Sequence, residues 1–201
     1  MSELSFYPFE GVRETGIWRS PSEIKSVLDS IDGKIVKADT DNAITFTEYQ
    51  VKAAEDKAFF LTYLKTGLSS GSSTSLLIEN PSDSKKTVYV MLLRISTTDQ
   101  GIVHYKTGAS YSGGTAITPH PLRLASTATS VLKAVYDPSV SSATEIGAEV
   151  VPGGSGRRAI GGANGGYLAF EINSGENLLI VFDNTSSNSN DVSIRLDWWE
   201  E

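Results

Sequence analysis

From residue 58 to the C-terminus the chain is a succession of short apolar or alternating runs, each closed by Gly, Ser, Asn or Pro. The runs cover 59–65, 75–79, 87–95, 101–107, 122–125, 131–136, 146–151, 167–172, 178–183 and 192–199. Runs of this length are too short for ordinary helices, and their spacing between turn residues is that of an antiparallel sandwich or barrel. Near the end, Val192, Ile194, Leu196 and Trp198 share one face of an extended chain, and Ser193, Arg195 and Asp197 share the other. That is the pattern of a half-buried strand. By contrast, residues 88–93 (VYVMLL) are apolar on both faces. Such a strand is expected inside a sheet, covered on both sides by a helix or a neighbouring subunit. The fold class expected for 59–201 is therefore an all-β sandwich.

Residues 1–58 are different. The first 19 carry Phe6, Tyr7, Phe9, Ile17 and Trp18 without a period. These aromatics read either as anchors of an attachment arm or as groups that pack on their own domain. A helix is expected next. Ser20 caps it, Pro21 suits the first helical position, and Glu23 completes a capping box. Ile24, Val27, Leu28 and Ile31 then form one apolar stripe, and Gly33 stops it. About three turns of helix do not hold in water alone, so the stripe has to dock on the sandwich or on a partner. Residues 44–47 alternate like a strand, while 49–57 suit either a short helix or a second strand. The expected organisation is an arm and helix for attachment or oligomerisation over 1–58, then a sandwich over 59–201.

Several chemistries are excluded by what the chain contains. At 201 residues it buries about 70% of its unfolded surface without a disulfide or metal. It has no Cys, which rules out thiol nucleophiles and Cys-based zinc sites. A formal net charge of -7 opposes a general grip on nucleic acid, which needs cations to displace phosphate counterions. No stretch is apolar enough to cross a membrane as a helix, and the first residues lack the basic and apolar regions of a secretory signal.

The two histidines, His104 and His120, have no G-x-S-x-G elbow to serve, and His120 lies between Pro119 and Pro121. Both read as surface or strand residues. Asp39, Asp41, Asn42 and Glu48 resemble a calcium loop, but Ala43 and Ile44 stand where an acid and a glycine are needed. The segment 153–158, Gly-Gly-Ser-Gly-Arg-Arg, has no Walker spacing and leads toward a strand. Arg157 and Arg158 suit a carboxylate on a neighbouring subunit as well as they suit water. The glycine-rich 152–166 and the wholly polar 184–191 read as mobile tips or as surfaces fixed on assembly. Asn184-Thr185-Ser186 is a glycosylation sequon in form. No catalytic, cofactor or metal residue is assigned.

The region from about residue 59 onward resembles a family of small virion-associated proteins of tailed phages and their relatives. Leu76-Leu77-Ile78 before a Pro- and Ser-containing turn carries part of the likeness, as do Gly113-Gly114-Thr115-Ala116-Ile117-Thr118 and the later Ser126-Thr127-Ala128-Thr129. The glycine clusters at 152–156 and 160–162 follow. The most specific part is the ending, Asn177-Leu178-Leu179-Ile180-Val181 with Asn184, then Asn190-Asp191-Val192-Ser193-Ile194-Arg195-Leu196-Asp197-Trp198-Trp199-Glu200. Family members typically end in Asn-x-Val-Ser-x-x-Leu-Asp-Trp-Tyr-Glu, and here Trp199 takes the Tyr place.

The resemblance implies a jelly-roll-like antiparallel sandwich on the exterior of a particle, made in the host cytoplasm. It implies other virion proteins and further copies of the chain as partners, and no nucleic acid or membrane. Candidate interface residues are Phe6, Tyr7, Phe9, Trp18, Arg157 and Arg158. Head decoration, head fibre and tail module all remain open. A second reading is a carbohydrate-binding module for host-surface glycans using Tyr105, Tyr111, Tyr136 or Trp199. A third, a hydrolase, needs an acid pair or a His site that the sequence does not display.

Overall fold

A computed structural model describes the backbone of residues 35–39, 42–45, 48–152, 158–160 and 170–201, and the side chains of 49–152 and 170–201. Phe6, Tyr7, Phe9, Trp18, the helix expected over 20–33 and Arg157 lie outside the described residues. So does the side chain of Arg158. Two units divide the chain, Met1–Lys52 and Ala53–Glu201.

In the first unit β1 (Ile35–Asp39) and β2 (Asn42–Thr45) form an antiparallel hairpin. Asp39 faces Asn42 across it, so two residues of the calcium-like segment are strand partners. Helix α1 (Glu48–Ala54) crosses the division and settles the open reading of 49–57. Ala53 and Ala54 favour it, and Lys52 suits the negative end of its dipole. It stops at Asp56, whose φ of 60° is left-handed and whose amide donates to the Ala53 carbonyl at 3.2 Å.

The second unit is all-β. Its strands are β3 (Ala58–Leu68), β4 (Ser73–Glu79), β5 (Val88–Thr97), β6 (Gly101–Ser112), β7 (Thr115–Ile117), β8 (His120–Pro121), β9 (Lys133–Tyr136), β10 (Ser139–Val151), β11 (Arg158–Ile160), β12 (Phe170–Ile172), β13 (Asn177–Asp183) and β14 (Asn190–Glu200). One sheet runs β10-β6-β13-β4-β9-β7, and the other β11-β5-β14-β3-β8, with β12 beside β11 on the free edge of β5. Every pairing is antiparallel. The order follows from one long hairpin ribbon. β3 runs against β14, β4 against β13, β5 against β12 and β6 against β10. Successive pairs alternate between the sheets, as in a jelly roll.

The core lies between the inner faces. β14 gives Val192, Ile194, Leu196 and Trp198, all fully buried. β3 gives Phe59, Leu61 and Tyr63; β4 gives Leu76 and Ile78; β13 gives Leu178, Ile180 and Phe182. The phenyl ring of Phe59 stacks on Trp198 at 6.2 Å. Gly101 leaves room for the Phe182 ring at the end of the β6–β13 ladder, because a Cβ there would overlap that ring and the Asp183 carbonyl. The apolar run 88–93 does lie inside a sheet as β5. Its second face is only half-buried, at Tyr89, Met91 and Leu92.

Two expectations need correction. Residues 122–125 form a turn rather than a strand, and Leu124 is 88% exposed. Pro119 and Pro121 remove ladder donors there, so only His120 and Pro121 pair with β3. The polar loop 184–191 is also pinned by its own amides. The Asn184 amide donates to the carbonyls of Leu68 and Asn188. Asn190 accepts from the amides of Thr98 and Asp99 and donates to the Asp99 carbonyl. Both side chains are buried, and the sequon nitrogen of Asn184 is fully engaged.

Candidate functional site

The outer face of the β4-containing sheet bears a groove of about 620 Å³. Its floor comes from period-two alternation. Leu76 and Ile78 point into the core, so Leu77 points out, and Leu179 faces it from β13. Leu77 and Leu179 are nonetheless buried, because Ala109 joins them and Tyr111, Ala143 and Val181 pack against them. A second small core thus forms outside the sandwich.

Its cover is the curled end of the β6–β10 ribbon. Gly108 takes a φ of 63°, which bends β6. Register shifts at Val140/Ser142, Ser142/Thr144 and Glu145/Gly147 bend β10 with it. Asn177 fixes the bend. Its side chain accepts from the Ala109 amide at 2.8 Å and donates to the Ala109 carbonyl at 3.0 Å. The Tyr111 hydroxyl donates to Glu79. That hydrogen bond, with desolvation second, pushes the phenol up to about 12.

At one end of the groove stands Asp137, a non-glycine residue at φ 48°. Its Oδ1 accepts from the Thr74 hydroxyl at 2.8 Å and the Ser75 amide at 2.9 Å. Its Oδ2 accepts from Tyr63 and from Lys65 Nζ, each at 3.3 Å. Desolvation pushes this carboxyl up, but the Ser75 amide, the Thr74 hydroxyl and the Lys65 ammonium outweigh it and hold it below the usual range. Both oxygens are occupied, so Asp137 shapes the groove and ties β3, β4 and β9 together there. The polar groups that line the groove are Lys106, which also lies 3.9 Å from Glu145, and the hydroxyls of Ser73, Ser75 and Ser142, over Leu179 and Val181.

Beside the groove His104 lies between two acids. Nδ1 is 3.0 Å from Glu145 on β10, and Nε2 is 3.2 Å from Asp183 on β13. In a Ser-His-Asp relay one ring nitrogen faces the acid and the other faces the nucleophile. Here carboxylates take both, so His104 joins three strands rather than activating a hydroxyl. His120 packs on the Phe60 ring at 5.9 Å. Among the described residues no group of three or more His, Asp or Glu side chains gathers as a metal site, and no helix is long and apolar enough to cross a membrane.

The aromatics suggested for sugar stacking have other neighbours. Tyr105 packs against Phe170, Tyr136 stacks on Tyr63 at 5.0 Å, and Trp199 stacks on Tyr89 at 5.2 Å. Desolvation, and then Glu149, push Tyr105 up to about 12. The terminal motif has a structural use. Glu200 is buried, and its Oε1 accepts from the Val131 amide at 3.0 Å, from Ser130 and from Trp198 Nε1. Its Oε2 accepts from Lys86 at 3.2 Å. Arg195 pairs bidentately with Asp197 and lies over the Phe60 ring. The sequence signals for these groups were present but weak: Asn at the starts of β13 and β14, and an Asp-Pro step at 137–138.

Fold and groove together define a jelly-roll sandwich with a polar, apolar-floored groove on one outer face. No family model matches the chain, and neither a curated protein nor a solved structure matches it.

Proposed function

We propose that this chain is a structural protein of a virus particle, a capsid decoration or a head- or tail-associated module. On this reading it acts by contact with other virion proteins and with its own copies. One observation carries the reading: hydrogen-bonded polar side chains, several of them buried, staple the scaffold to itself. Asp137 joins strands, Asn184 and Asn190 hold a loop, and Glu200 binds the 130–131 segment and Lys86 to the last strand. A sandwich stiffened in this way supports function through surface shape, which is what a particle position requires. The C-terminal motif that resembles virion proteins coincides with the Arg195–Asp197 and Glu200 staples.

The test is made on purified particles. The expected result is stoichiometric copies of the chain at a symmetric density feature, with residues 1–19 at the attachment point. Deleting 1–19 leaves a folded sandwich that no longer attaches. Particles without the chain overturn the reading, and an insoluble truncated chain removes the arm's attachment role.

The groove favours a second reading, a module for host-surface glycans. Hydroxyls and Lys106 above an aliphatic floor suit a polyhydroxylated ligand. Consistent hits on a glycan array, weakened by Lys106→Ala, are expected from it; a silent array removes it.

A further inference from the structure

The curled end of the β6–β10 ribbon is held to the sandwich by few contacts. β13 pairs with β6 only from Ile102 to Thr107. Beyond that point Ser110, Tyr111 and Ser112 pair, among the described residues, only with Ser142, Val140 and Ser139 of β10. Residues 109–112 and 139–143 therefore form a two-stranded strap over the outer face of the β4-containing sheet. A two-stranded ribbon by itself is marginally stable at best. The strap also brings little apolar surface to the sheet. Ala109 is its one buried side chain, and Tyr111 and Ala143 are half-buried.

Points of bending bound the strap on both strands. On β6 they are Gly108, at φ 63°, and Gly113, at φ 64°, and the space where a Cβ would stand is open at each. Residues of this kind absorb backbone rotation at low cost. On β10 the register shifts at Ser142/Thr144 and Glu145/Gly147 mark one end, and Asp137, at φ 48°, precedes the other. Between these points side chains replace the missing ladder. The Asn177 amide gives Ala109 both bonds that a neighbouring strand would exchange with it, at 2.8 and 3.0 Å. The Tyr111 hydroxyl adds one bond to Glu79. Beneath the strap Leu77 and Leu179 are buried against Ala109.

We infer that the strap is a movable cover. Residues 109–112 and 139–143 lift from Leu77 and Leu179 as one unit while the sandwich stays folded, and Asn177 is the latch that holds them shut. A segment with few buried contacts and its own hinges opens at a lower free energy than the core it lies on. Lifting it uncovers the two leucines. It also reshapes the groove, because Val140 to Ala143 wall it on one side while Leu179 and Val181 stay with the sheet. The inference concerns the single chain, so it goes beyond the proposed function and stands on either reading of it.

The absence of Cys makes the test direct. Leu77 and Ile78 are adjacent on β4 and fully buried, the first under the strap and the second in the sandwich core. Iodoacetamide reaches the thiol of Leu77→Cys when the strap lifts, and that of Ile78→Cys only when the sandwich opens. Leu77→Cys is expected to be alkylated about tenfold faster or more, at a rate that urea raises little, because lifting the strap exposes little surface. Adding Asn177→Ala to Leu77→Cys is expected to raise that rate about tenfold further, through the two lost hydrogen bonds. Hydrogen exchange of the unsubstituted chain gives a second measurement that needs no cysteine variant to fold. There the strap amides are expected to open at a lower free energy than those of Ile194 and Leu196 on β14. Equal alkylation of the two thiols, or strap amides that exchange only alongside β14, would mean a fixed cover and overturn the inference. A fast Leu77→Cys rate that ignores Asn177→Ala overturns the latch.

Discussion

β14 and β10 are both long strands with apolar residues, and they have opposite fates. β14 has β5 on one edge and β3 on the other, and of its residues only Asp191 is exposed. Among the described residues β10 has one neighbour, and all but Val151 of its side chains are exposed or half-exposed. The rolled ribbon explains the contrast. Winding the ribbon carries its two ends, β3 and β14, to the middle of one sheet and leaves its last pair, β6–β10, at one margin of the other. The chain terminus is therefore held at the centre, while a mid-chain strand faces outward.

The sharpest way to break this contrast is at Trp198. It is fully buried and stacked on Phe59. Trp198→Ala is expected to cost about 3–5 kcal/mol in urea unfolding, through lost burial and a cavity. A cost no larger than that of an edge substitution would remove the distinction.

The next effect is electrostatic. Glu200 accepts hydrogen bonds from Val131, Ser130, Trp198 and Lys86 with a fully buried carboxylate. Glu200→Ala leaves a buried amide and indole without their acceptor, at an expected cost of about 2–3 kcal/mol. On the edge, Glu145 is half-exposed in its pairing with His104, so Glu145→Ala is expected to cost about 1 kcal/mol at most. Equal losses at the two sites would mean that the margin is as well packed as the centre.

Asp137 lies between these extremes and shows its effect in pH dependence. Its carboxyl is held below the usual range in the folded chain. A depressed folded value means that the unfolded state binds the proton more readily. The stabilisation is therefore complete above the unfolded value of about 3.9 and is lost as pH falls through the lower folded value. Asp137→Asn is expected to flatten this acid limb below about pH 4, with little change in its shape at neutral pH. An unchanged acid limb would detach Asp137 from the staple.

These contrasts were unevenly legible in the sequence. Alternation in 192–198 marked the inner face of β14 directly, whereas the burial of Asp197 and Trp199 on its other face is not written in that period. The turn chemistry after residue 58 was equally clear. The β7, β8 and β11 strands were not, since two or three paired residues carry no period. Residues 139–145 fell outside the apolar runs because Ser and Thr dominate that part of β10. The groove needs Gly108 and Asn177, which are far apart in the chain and meet only through the β13–β6 ladder. No local pattern encodes that meeting. The open β10 edge was hidden for the same reason: exposure of Ile146 and Val150 depends on which strand stands beside them.

The smallest predicted effect is therefore the most specific to the comparison. At dilute concentrations, where only monomer is present, Val150→Thr is expected to change unfolding free energy by no more than about 0.5 kcal/mol. Val150 is 70% exposed, so no packing is lost with its methyl group and the new hydroxyl remains in water. The same change at Val192, fully buried on β14, removes apolar contact and buries a hydroxyl, so it is expected to cost several times as much. A ratio near one would mean that β10 is covered in the single chain. A large ratio at low concentration that shrinks as concentration rises would instead place the missing cover of β10 on a second molecule, because burial gained by association follows mass action.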